Sequence, residues 1–226
     1  MKIILTVLLL TLNQTIIGQF GIIEDKDGYV NIRNSGKNII DTLSSEKIIY
    51  CFDLEREWFR IDYDLSRQNK SGYVHESRVR LIENFDHFNS GQSTDTSIVF
   101  NMDSISIEIT KRAFDAKSNN LQYLEIDSRN EARFLEKING KEVWGTDGGV
   151  PKMKYGIFSI QLNHEKLILP TDNLFEPNFG FTSAFYDEKN NSIYISASNS
   201  DGAGGYAVLW IIENGTFKQR ITTIPY

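Results

Sequence analysis

The sequence predicts an all-β protein, a small barrel followed by an antiparallel β-sandwich or open barrel. Three observations carry that prediction. Short runs in which apolar and polar residues alternate recur along the chain, as expected of strands buried on one face. Turn-forming pairs interrupt the runs, among them Asp27-Gly28, Asn139-Gly140 and Asn214-Gly215. Helical periodicity is scarce, and "SRNEARFLEKI" has room for one helical turn at most.

Residues 1–18, "MKIILTVLLLTLNQTIIG", carry one early cation, Lys2, then an apolar core from Ile3 to Leu12 and a small residue, Gly18. This is the layout of a secretory signal, with an apolar run short for a membrane span. Cleavage is expected between Gly18 and Gln19, leaving no membrane span; the alternative is an uncleaved N-terminal anchor. No cysteine lies at the cut, so a lipid anchor is not expected. The expected destination is the periplasm or the exterior.

Residues 19–83 read as a first domain built from five strand regions: "GIIEDKDGYVNIR", "NIIDTLS", "KIIYCFDLE", "EWFRIDYD" and "KSGYVHESRVRLI". Val30 and Ile32 alternate with Asn31 and Arg33 and are the expected inward residues. So many short strands in so few residues suggest a barrel. Cys51 is the single cysteine and lies in an apolar run, so it is expected to act as a small buried hydrophobe. Without a disulfide, stability must come from packing.

"DGYVNIRN", "IIDTLSSEKII", "EWFRIDYD" and "SGYVHESRVRLI" occur in that order and together resemble the bacterial SH3-like (SH3b) domain over residues 20–83. Trp58, Phe59 and Ile61 match its middle strand, and Gly72, Tyr73, Val74, His75, Ser77 and Val79 its closing segment. The proline usual after the first strand is missing; Gly36 lies nearby instead. In that family, exposed aromatic and polar residues on the barrel face contact peptide or peptidoglycan stems. By position, the resemblance implies Tyr29, Asn31, Trp58 and Tyr73 as ligand contacts.

Residues 84–97 lack periodicity, are rich in Asn, Ser, Thr and Asp, and read as a linker. Residues 98–226 again alternate, in "SIVFN", "SISIEITKRAF", "TSAFYDEKNNSIYISAS" and "AVLWIIENGTFKQRIT". A closed propeller needs more chain than this segment provides.

The chemical inventory narrows the function. A formal charge of −6 lacks the cationic footprint of a nucleic-acid binder. The histidines, His75, His87 and His164, are scattered and form no zinc-ligand pattern. Beyond residue 90 there is no cysteine and one histidine, so a Cys–His peptidase and a zinc amidase are excluded on inventory. No serine-hydrolase elbow occurs. No cofactor or metal is implied. Two Gly-rich acidic loops, "WGTDGGVP" and "SASNSDGAGGY", offer Asp147 and Asp201 as loop contacts. The second only partly resembles a calcium loop, because Ala197 and Val208 stand where ligands would be needed. The expected function is an exported, non-enzymatic binding protein that contacts peptidoglycan, peptide or a protein partner. The alternatives are a carboxylate-based envelope glycan hydrolase and an immunity-type protein whose acidic surface meets a toxin.

Overall fold

Glycine at a positive φ of 80° lets Asp27-Gly28 turn the chain without steric cost, and the strand that follows buries every second side chain. A computed structural model describes residues 18–127, 132–163 and 165–225. Residues 1–17 of the leader expected over 1–18, His164 and the start of the "SRNEARFLEKI" run lie outside the described residues. Among those described, all regular structure is antiparallel strand with a few single turns of 3-10 helix.

The five runs of the first half resolve into seven strands, because turns split the first and the last. They are β1 (Gln19–Ile23), β2 (Tyr29–Arg33), β3 (Ile39–Ser44), β4 (Ile48–Glu55), β5 (Trp58–Tyr63), β6 (Lys70–His75) and β7 (Val79–Leu81). They form one sheet in the order β3-β2-β6-β5-β4-β1-β7. The sheet is curled, since Ile23, Val30, Leu43, Ile49, Phe59, Val74 and Val79, one from each strand, meet in a single core with Ile32 and Cys51. The expected barrel does not close: β3 and β7 remain opposite edges, with no ladder between them. Strand β7 is three residues long and pairs with β1, while the outer Ile39 and Ile40 of β3 stay exposed.

The stretch expected as a linker is partly strand. Residues β8 (Asp86–His87) and β9 (Asn89–Ser93) join the sheets of the second half, although β9, "NSGQS", has no apolar residue. It is an exposed edge strand, held by its backbone alone, which is why no alternation marks it.

The second half has β10 (Ser97–Met102), β11 (Ile105–Ala113), β12 (Leu121–Asp127), β13 (Ala132–Ile138), β14 (Lys141–Glu142), β15 (Met153–Leu162), β16 (Glu165–Ile168), β17 (Thr182–Asp187), β18 (Ser192–Asn199), β19 (Tyr206–Glu213) and β20 (Thr216–Thr223). One sheet runs β16-β15-β11-β10-β9 and another β20-β19-β18-β17-β8. They pack face to face as a sandwich around Trp210, Phe158, Ile107, Ile109, Ile160 and Val208. The Asn139-Gly140 and Asn214-Gly215 turns both have positive φ at both positions, the mirror-image turn that suits a twisted hairpin. Strands β12, β13 and β14 form a small third sheet over Phe175.

Strand β19 ties the halves together. Tyr206 through Ile212 are all buried, because this strand is covered on both faces. One face looks into the sandwich; the other, Ala207, Leu209 and Ile211, packs with Tyr194 and Phe185 against Phe20, Tyr50, Phe52, Ile82 and Phe85 of the first half. Phe85 stacks on Tyr194 at 5.3 Å. Polar ties border this interface: the Asn69 amide donates to the Thr223 hydroxyl at 2.7 Å, and the Arg67 guanidinium lies 4.1 Å over the Trp144 ring.

Candidate functional site

Alternation in β2, β5 and β6 sends Val30, Phe59 and Val74 inward and leaves Tyr29, Trp58 and Tyr73 on the other face. Cross-strand pairing then assembles them. Trp58 stands opposite His75, and Arg33 opposite Tyr73. The indole and imidazole meet edge to face at 5.3 Å, and the Arg33 guanidinium sits 6.0 Å from the indole centroid. Arg33 is steadied by donating to the Lys37 carbonyl at 2.7 Å. Gly72 permits this arrangement. A Cβ there would lie 2.3 Å from Ile32 Cγ2 and 3.2 Å from the Arg33 carbonyl oxygen, so only glycine lets β6 approach β2 so closely.

The result is two grooves that share Trp58 and Arg33 as a dividing wall. One, of about 370 Å³, brings together Tyr29, Asn31, Trp58 and His75. The other, of about 580 Å³, is formed by Tyr73 with Trp58, Asn34 and Glu55. All four residues expected as ligand contacts therefore lie on one continuous surface. Tyr29 is 51% exposed, whereas Trp58 and Tyr73 are half-buried and held by their strands.

Electrostatics at the first groove are mixed and locally compensated. Asp25 pairs with Arg78. The Asp27 N–H, and then the Arg78 guanidinium, hold the Asp25 carboxyl below its usual range despite its burial. His75 Nδ1 accepts from the Ser77 N–H, and its Nε2 lies 3.7 Å from Glu57. The sequence does not mark Arg33, His75 or the Asp25–Arg78 pair as contacts, because they join the site only through strand register. The alternating position of Arg33 beside Asn31, and the place of His75 in the closing segment, are the available signals.

The two Gly-rich loops also converge. Asp147 and Asp201, both exposed, line a third cleft of about 630 Å³ with Lys111, Lys152 and Asn178. The Ser200 hydroxyl donates to the Gly145 carbonyl at 3.0 Å. A Cβ on Gly204 would come within 2.9 Å of the Thr146 backbone, so glycine is needed for the loops to touch. The nearby Glu176 carboxylate accepts from the Lys152 and Met153 N–H groups. Among the described residues, no three of His, Cys, Asp or Glu cluster closely enough to hold a metal ion.

No family model, curated protein or solved structure matches this chain. Among the described residues, no helix is long and apolar enough to cross a membrane.

Proposed function

We propose that this is an exported, non-enzymatic binding protein whose SH3-like first half contacts cell-envelope material, peptidoglycan or peptide, or a protein partner, through the paired grooves around Trp58. The observation that carries this reading is the convergence of Tyr29, Asn31, Trp58 and Tyr73 on one surface with a fixed indole at its centre. Aromatic rings set on rigid strands offer large contact area at small entropic cost. Flanking amides and cations supply hydrogen bonds to peptide carbonyls and carboxylates. Co-sedimentation of the purified chain with peptidoglycan, and pull-down from an envelope extract, test the reading. Retention on either supports it, and retention on neither removes its basis.

A second reading is favoured by the shared cleft of Asp147 and Asp201: a hydrolase working through two carboxylates. Release of soluble glycan by the wild type, lost in D147N or D201N, would establish it.

A further inference from the structure

Strand β11 lies antiparallel to β15 with Arg112 directly opposite Lys154. Like charges in that position destabilise a sheet unless a third group compensates them. Among the described residues, Arg112 has no carboxylate partner. Asp115 feels the charge of Lys154, but its carboxylate already accepts from the Lys117 N–H and the Ser118 hydroxyl. Both cations open into a groove of about 310 Å³ between the sandwich and the small third sheet. Lys141 lines the same groove, paired with Asp172 at 3.0 Å in a largely exposed bridge that an incoming anion can compete for. Phe114 forms an apolar wall, its ring packed edge-on against Phe175 at 5.3 Å. A groove with three cations and one carboxylate stands out in a chain whose net charge is −6.

We infer that this groove is an oxyanion site, in which Arg112 and Lys154 together take one carboxylate, sulfate or phosphate group and Phe114 lies against the organic part of its bearer. The bound anion supplies the charge that the strand pair lacks. Guanidinium binds such groups through two parallel N–H donors, and ammonium as a point charge. The site is separate from the grooves around Trp58 and does not depend on their role.

The test is calorimetric titration of the full chain with inorganic phosphate, sulfate and acetate at constant ionic strength, together with retention on dextran sulfate. The key variant is Arg112→Glu, which replaces the repulsive pair with an attractive one. It should melt at a higher temperature than wild type in anion-free buffer and bind anion at least about tenfold more weakly. Lys154→Ala should also weaken binding, and Lys166→Ala, an exposed cation on β16, should not. Binding of a free ion that is lost in R112E supports the site and names its oxyanion. Retention on dextran sulfate alone, lost in R112E, supports a group carried on a polymer. No binding to any probe overturns the inference, as does binding that R112E leaves intact or that K166A weakens equally.

Discussion

Shortening Leu209 to alanine should weaken both halves of the molecule at once. Leu209 is fully buried on the face of β19 that meets Phe20, Tyr50, Phe52, Ile82 and Phe85. Removing the end of a buried leucine loses its transfer free energy and leaves a cavity, together about 2–5 kcal/mol. Rigid rings on the facing side restrict collapse into the space, so about 3 kcal/mol is expected. For a chain of this size, about 2–4 °C is lost per kcal/mol, giving a fall in Tm of about 6–12 °C. Because the cavity lies between the halves, calorimetry should show one shifted transition. Hydrogen exchange should accelerate in peptides of β1 and β4 as much as in those of β18 and β19. Two separate transitions, or faster exchange confined to the second half, would refute the shared core.

Three further outcomes follow from local geometry. Gly72→Ala should cost about 1–3 kcal/mol, because the new methyl collides with Ile32 and the Arg33 carbonyl, and denaturant titration measures the loss. The Cys51 thiol, pushed up by burial, should ignore a thiol reagent in the native protein and react only as fast as the protein opens. Asp25 is held below its ordinary value of 3.8, so its contribution is fully present above that pH and is lost as pH falls through the depressed folded value. Acid titration of Tm should therefore be flat towards neutrality and fall below about pH 4, with a shallower fall in D25N.

How far the sequence reached can be traced through particular residues. Val30 and Ile32 were assignable to the core, and Asn139-Gly140 and Asn214-Gly215 to hairpin turns, because alternation and positive φ act locally. The run "AVLWII" is expected to alternate, but β19 is buried on both faces, and the sequence does not show which sheet covers each. That depends on contacts between Leu209 and rings more than 120 positions away along the chain. Strand β9 was hidden because a polar edge strand leaves no pattern. At the candidate site, Tyr29, Asn31, Trp58 and Tyr73 were legible individually as motif positions that the resemblance implies. Their shared wall with Arg33, and the Trp58–His75 contact, were not, because register across β5 and β6 is set by pairing and turn length. That Asp147 and Asp201 line one cleft is another product of topology.

The most direct test of the binding surface is co-sedimentation of wild type and Trp58→Ala with purified peptidoglycan, with pull-down from envelope extract alongside. Trp58 is half-buried at the end of β5, outside the core, so the variant should keep the wild-type circular dichroism spectrum. Loss of a central aromatic contact typically costs about 2 kcal/mol or more, so retention should fall by at least about tenfold. Equal retention of a folded W58A and wild type, or retention of neither on both materials, would contradict the account.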